Sequence, residues 1–161
     1  MKLVVGLGNP GKQYELTRHN VGFRVLDSLN LEFQNGFSGL YAKTENCVYL
    51  KPQTFMNVSG SSVLEALQFY KLEPAGILII HDELDLPFGT VRLKKGGGHA
   101  GHNGLRDIIR LIGPDFSRIR IGIGKPALKS QIHAYVLSPF LAEEETKLPH
   151  IIEQACQLIE S

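Results

Sequence analysis

The sequence predicts a single α/β domain over residues 1–161, a mixed and mostly parallel β-sheet flanked by helices on both faces. Three observations predict it. Apolar strands alternate along the chain with amphipathic helical stretches, the pattern of a parallel sheet wound with helices. Residues 77–80, Ile-Leu-Ile-Ile, are apolar at every position, as in a strand covered on both sides. Two strand-like runs at 39–50, joined by the polar turn Glu45-Asn46, add antiparallel pairing. The length, 161 residues, suits one domain that buries roughly 70% of its unfolded surface.

The elements follow in order. Leu3 to Gly6 reads as a short buried strand closed by a glycine turn. Asn20 is placed to cap a helix carrying Val21, Val25, Leu26 and Leu29 on one face. Gly39 to Thr44 and Cys47 to Leu50 read as strands, and Pro52 ends the second. Val63, Ala66, Leu67 and Tyr70 mark a helix that Pro74 stops, with Ser59, Ser61 and Ser62 in its first turn. After the strand at 77–80, His81 to Gly89 reads as a polar loop. Thr90 to Leu93 suits a strand, and 96–104 is too rich in glycine for regular structure. Leu105, Ile108, Ile109 and Ile112 mark another helix. Arg118 to Gly124 alternates strictly, with Ile119, Ile121 and Ile123 facing one way. A last helix spans about Ala142 to Ile159, with Leu148, Ile151, Ile152, Ala155 and Ile159 on its buried stripe.

Composition narrows the function. Lys plus Arg number 17 and Asp plus Glu 16, so the chain is neither polybasic nor a disordered acidic tail. Two cysteines, Cys47 and Cys156, exclude a disulfide scaffold and a cysteine-rich zinc site, and both read as buried thiols in a reducing, cytoplasmic setting. No apolar run approaches the ~20 residues that cross a membrane, and Met1 to Val5 is too short for a signal-peptide core. Nothing in the sequence calls for a second copy, so a monomer is expected.

Gly6-x-Gly8-x-x-Gly11 after a strand matches the dinucleotide fingerprint. That fingerprint opens directly into a helix and needs an acidic residue ending a second strand. Here the loop runs on through Lys12, Gln13 and Tyr14, and Asp27 falls inside the predicted helix, so no nicotinamide cofactor is expected. His99 and His102, with His81, Asp82 and Glu83, carry metal-type donors. The glycine loop offers them no rigid geometry, and no metal is expected.

In α/β folds, sites lie beyond the carboxyl ends of the strands. Four such segments carry polar residues of one kind: Asn9 with His19 and Asn20, then Asn57, Asp82, and the loop with His99, His102 and Asn103. A histidine oriented by an aspartate, with amides nearby, suits hydrolysis by an activated water. Each residue also has a plainer role: Asn57 as a helix cap, His19 as a partly buried histidine, Asp82 as a turn cap. There is no Gly-x-Ser-x-Gly, which speaks against a serine nucleophile. Positive charge gathers at Arg92, Lys94, Lys95, Arg106, Arg110, Arg118 and Arg120, which suits a phosphate-rich ligand.

Taken together, Gly6-Leu-Gly-Asn-Pro-Gly11 with Tyr14, Thr17-Arg-His-Asn-Val-Gly-Phe23, Lys51-Pro-Gln-Thr-Phe-Met-Asn57, His81-Asp-Glu-Leu-Asp-Leu-Pro87, Gly96-Gly-Gly-His-Ala-Gly-His-Asn-Gly-Leu105 and Arg118-Ile-Arg-Ile-Gly-Ile-Gly124 resemble the bacterial peptidyl-tRNA hydrolase family. The likeness runs nearly the whole chain, in order. It implies an enzyme that cleaves the ester between peptide and tRNA, without cofactor or metal. By position it implies His19 as catalytic base and Asp82 as its partner. Asn9, Asn57 and Asn103 would line the peptide side of the cleft, Tyr14 and Phe55 its wall, with Met56 and His102 nearby. Arg92 and Arg120 would hold the tRNA 5′-phosphate, Arg92 standing where a lysine is usual. The segment 125–140 matches a lid. The chain is shorter than typical members before Lys51 and at the C-terminus, and Phe88 replaces a common second proline. Relatives that keep the fold but only bind RNA are the alternative. Retention of His19, Asp82 and the three asparagines argues against it.

Overall fold

The computed structural model describes residues 1–160. A seven-stranded sheet runs through the molecule: β1 (Lys2–Gly6), β2 (Gln34–Gly36), β3 (Gly39–Lys43), β4 (Cys47–Pro52), β5 (Ile77–Glu83), β6 (Val91–Lys95) and β7 (Ser117–Gly122). Their spatial order is β2-β3-β4-β1-β5-β7-β6. The four central strands, β4-β1-β5-β7, are parallel to one another, and the outer pairings are antiparallel. Central parallel strands need cover on both faces, and their residues are apolar accordingly.

Helices α1 (Val21–Asp27), α4 (Ile132–Val136), α5 (Ala142–Glu145) and α6 (Leu148–Glu160) follow the chain order with α2 (Ser59–Phe69) and α3 (Asn103–Ile112) between them. Val4, Leu78, Ile80, Ile119 and Ile121 pack with Val25 of α1, Val136 of α4 and Ile151 of α6. Leu3, Val5, Ile77 and Ile79 pack on the opposite face with Val63 of α2 and Ile108 of α3. The alternation of β7 divides cleanly, its isoleucines in the first core and Arg118 and Arg120 on the other face.

Helix α1 lies unusually close to the sheet. A Cβ on Gly22 would sit 2.5 Å from Ile80 O and 2.6 Å from Leu7 N, and one on Gly6 would strike Gly22 O. A Cβ on Gly8 would meet the Phe23 ring at 2.7 Å. Gly6 and Gly8 of the Gly-x-Gly-x-x-Gly string are therefore explained by packing against α1.

Several expectations are corrected. His81, Asp82 and Glu83 belong to β5, because their backbones continue the ladder to β7 (Asp82 opposite Ile121, Glu83 opposite Gly122). Asp82 is thus a buried strand residue, not a turn cap. Asn20 precedes α1 but makes no cap hydrogen bond. Asn57 does not cap α2 either. It lies in the 3₁₀ turn Met56–Val58, and Val58 takes the cap position. Helix α2 ends at Phe69, before Pro74, with Lys71 turning at φ 54. The predicted last helix is two, α5 and α6, broken at 146–147. Pro149 cannot donate to the carbonyl of Glu145, and its ring crowds that carbonyl. Cys47 is buried as expected, whereas Cys156 is half-buried. The short strand β2 and helix α4 carry no signal in the sequence pattern. No helix among the described residues is long and apolar enough to cross a membrane.

Candidate active site

At the carboxyl end of the central strands lies a cavity of about 460 Å³. Asn9, Tyr14, His19, Phe55, Met56, Asn57, Asp82, His102 and Asn103 all line it. Four separated segments therefore meet at one cavity, whereas Asn20 and His99 of those segments do not line it. Arg92 and Arg120 do not enter the cavity. They stand directly opposite each other on β6 and β7, at the neighbouring sheet edge. Arg92 is exposed, and Lys94, two residues on, shares its side of β6.

Asp82 sits at the floor, its side chain about 1% exposed. Its Oδ2 lies 2.8 Å from His19 Nδ1, and its Oδ1 lies 2.8 Å from His102 Nε2. Burial alone would raise the carboxyl pKa. The charges and hydrogen bonds of His19 and His102 outweigh it and hold the group well below the usual carboxylate range. Asp82 is therefore ionised, and His19 donates Nδ1–H to it, which leaves Nε2 as the lone-pair nitrogen. For His19, burial disfavours the imidazolium, but the charge and hydrogen bond of Asp82 prevail and raise the pKa above the ordinary histidine value. His19 itself is carried by a 3₁₀ turn, Arg18–Asn20, at the entrance to α1.

Asn9 is held from three directions. Asn20 Oδ1 accepts from Asn9 N–H at 2.9 Å, and Asn20 Nδ2 donates to Asn9 O at 2.9 Å. Asn9 Oδ1 accepts from Met56 N–H at 2.7 Å. With its carbonyl oxygen committed, the side chain of Asn9 offers its Nδ2 amide to the cavity. This explains why Asn20 leaves the helix uncapped: its amide is spent on Asn9.

The other predicted residues divide by exposure. Asn57, Asn103 and Phe55 are exposed at the cavity, and Tyr14 meets Phe55 edge-on with centroids 6.4 Å apart. Met56 is nearly buried and packs under α3, where a Cβ on Gly104 would meet its sulfur at 2.7 Å. His102 caps α3, its Nδ1 accepting from Gly104 and Leu105 N–H. It is half-buried behind Asp82 rather than free in the cleft.

Two features of the cavity were read only coarsely from the sequence, Glu83 as a metal-type donor and the segment 125–140 as a lid. Glu83 lines the cavity and holds Arg120 through Oε1···Nε at 3.0 Å. Burial opposes its ionisation, but that bond, the Asp85 amide and nearby charge lower its pKa. Alternation along β5 puts Glu83 on the face of Ile77 and Ile79, where Arg120 of β7 meets it. Ile132, His133, Val136 and Leu137 of the α4 region form another part of the wall, within the segment expected to be a lid. Arg18 ties that wall to the His19 turn: its Nη1 donates to Tyr135 O at 3.0 Å, and its guanidinium lies 3.9 Å above the Tyr135 ring.

His19, Asp82 and His102 together are the one cluster among the described residues that offers three metal-type donors. The donor chemistry does not suit an ion. His102 Nδ1 accepts backbone protons, so Nε2 carries the ring hydrogen and has no lone pair to give. His99 Nδ1 accepts from Gly101 N–H and serves its own loop. The serines are likewise engaged, Ser59 Oγ with Met56 O and Ser62 Oγ with Phe37 O.

Comparison with known proteins places this geometry. The family model described as peptidyl-tRNA hydrolase matches residues 3–161. A peptidyl-tRNA hydrolase of Wolinella succinogenes is 52% identical, covering 100% of this chain and 86% of the relative. One from a Sulfurovum species is 49% identical over 99% of this chain and 89% of its own. The crystal structure of peptidyl-tRNA hydrolase from Acinetobacter baumannii superposes with a TM-score of 0.95 at 42% identity, over 99% of this chain and 87% of that one. A match of this length and identity, on a fold that superposes over nearly the whole chain, establishes the kinship: the chain belongs to the peptidyl-tRNA hydrolase family.

Proposed function

We propose that the protein hydrolyses the ester joining a peptide to the terminal ribose of tRNA, with His19 as the base that activates water. The observation that carries this reading is the His19–Asp82 pair on the floor of a cavity walled by amides. Water loses a proton to His19 Nε2 as its oxygen attacks the ester carbonyl. Asp82 keeps the proton on Nδ1 and stabilises the imidazolium as it forms. The Nδ2 amide of Asn9 donates to the developing oxyanion, an arrangement favoured by its fixed carbonyl end. The ester C–O bond then breaks, and the proton on His19 goes to the ribose oxygen. The free peptide acid and tRNA leave.

Asn57 and Asn103 serve the peptide backbone, and Tyr14 and Phe55 its side chains. Arg92 and Arg120 take a tRNA phosphate, with Lys94 beside them on the same face. The free thiols Cys47 and Cys156 suit the reducing cytoplasm.

The test is release of N-acyl-amino acid from N-acyl-aminoacyl-tRNA, with a chelator present. Wild type should release it, and His19→Ala should be slower by roughly 10²-fold or more. Near-normal turnover in the variant would remove His19 from the role of base. Binding of the tRNA without any release by wild type would mark an RNA-binding relative instead.

A further inference from the structure

His102 makes contacts that the scheme above does not use. Its Nδ1 accepts from Gly104 N–H at 3.1 Å and Leu105 N–H at 3.3 Å. A ring nitrogen accepting two amide protons carries none of its own, so the hydrogen sits on Nε2. That N–H donates to Asp82 Oδ1 at 2.8 Å, while Oδ2 takes the Nδ1–H of His19 at 2.8 Å. One buried carboxylate thus serves two imidazoles, one oxygen each, and the two rings stand 5.1 Å apart.

We infer that His102 is a positioning residue for the proposed reaction. Locked by the α3 cap in its Nε2–H tautomer, it holds the Asp82 carboxylate toward His19 and draws off part of its charge, and so sets the basicity of His19.

The choice of residue supports this. Serine, threonine, aspartate or asparagine caps a helix at least as well as histidine. The longer imidazole caps with one nitrogen and reaches across to donate with the other, to an acceptor 20 residues distant in sequence. The cap also makes the tautomer one-sided, since moving the proton to Nδ1 would set it against two backbone N–H groups. The other charged and titratable neighbours do not replace it. His81, on β5, packs 5.2 Å from the His102 ring. Burial, then the proximity of His102, pushes its pKa down to about 4, and its Nδ1–H is given to Asp82 O. Glu83 is engaged by Arg120 of β7, and Arg18 by Glu144 and Tyr135. His133 of α4 lines the same cavity at its exposed side.

The test uses His102→Asn and His102→Ser, each of which keeps a capping oxygen on a side chain shorter than the ring whose Nε2 reaches Asp82. The His19 imidazole is titrated by NMR, and the pH dependence of kcat/KM is measured on N-acyl-aminoacyl-tRNA. With one donor lost, more of the carboxylate charge falls on His19. Its titration and the acid limb of kcat/KM should both move up, by a few tenths to about one pH unit. At neutral pH kcat should fall severalfold with KM little changed. A merely structural role would lower activity without moving either midpoint, and a substrate-contact role would raise KM alone. Either result overturns the inference, as does a downward shift. Should both variants fail to fold, nitrogen shifts of wild-type His102 decide: an Nδ1–H tautomer overturns the inference, and an Nε2–H tautomer upholds it. The proposal rests on the hydrolase reading only in its kinetic arm. A shifted His19 titration in a protein that releases nothing would sustain it while sinking that reading.

Discussion

At the residue scale, the proposed reaction turns on which nitrogen of His19 is free and at what pH. The Asp82 carboxylate fixes Nδ1 as the protonated position, so Nε2 is the nitrogen the proposed mechanism uses as base. The active form is neutral, and its pKa is raised. Activity should therefore rise with pH through a midpoint above 6.5, the ordinary histidine value. Asp82→Asn removes the causes that raise the pKa and leaves burial, which lowers it. The acid limb should then move below the ordinary value, while kcat drops by roughly 10²–10⁴-fold because the tautomer is no longer enforced. A pH–rate profile on that variant checks both signs at once. The same shifts act on stability in opposite windows. The contribution of His19 is full below its unfolded pKa and is lost as pH rises through the folded one. That of Asp82 is present above its unfolded pKa and is lost as pH falls through the folded one. His19 and Asp82 were legible in the sequence as chemistry-bearing residues. Their pairing, which joins positions 63 apart, was implied by the family resemblance and not by spacing, and the Asn20 clamp was not legible at all, since an asparagine before a helix reads as a cap.

At the scale of elements, the site depends on how closely α1 rides on β1 and β5. Glycines 6 and 22 face each other across that contact, and the helix that begins beside His19 lies on them. Gly22→Ala would drive a methyl group into the backbones of Ile80 and Leu7, which cannot swing aside as a side chain would. Overpacking of this kind costs about 1–3 kcal/mol, or more where backbone must move. For a chain of this size each kcal/mol lowers the melting midpoint by about 2–4 °C. Thermal unfolding of Gly22→Ala should show that loss, together with reduced kcat from a displaced His19 turn. An unchanged midpoint would mean that α1 is free to lift. Elements were readable wherever one face is apolar, as in α3 and β7. They were misread where polar groups are buried by pairing. His81-Asp82-Glu83 has the composition of a loop, yet it is strand, because histidine, arginine and backbone partners replace water around it. The stripe from Leu148 to Ile159 concealed the break before it, which Pro149 signals only through a missing donor. Strand β2 has three residues and no apolar alternation to reveal it.

At the scale of the molecule, a net charge of +1 conceals a separation. Arg92, Lys94 and Arg120 share one side of the β6–β7 edge, whereas Glu143, Glu144 and Glu145 lie together on α5. Such an edge beside the cavity suits a nucleic-acid backbone, whose binding weakens with salt as each phosphate contact releases counterions. The two arginines should behave differently when removed. Arg92 is exposed, and its only side-chain hydrogen bond among the described residues goes to the carbonyl of Val91. Arg92→Ala should therefore raise KM, leave kcat unchanged, and flatten the dependence of log affinity on log salt by about one unit of slope. Arg120 also neutralises Glu83, which lines the cavity. Arg120→Ala should flatten the salt dependence equally and, in addition, lower kcat, because it leaves an unpaired carboxylate beside the reacting ester. Arg120→Ala with Glu83→Gln should recover kcat but not the salt slope. KM measured against salt for these variants separates the two effects. A slope that neither substitution changes would place the tRNA phosphates on another face of the protein.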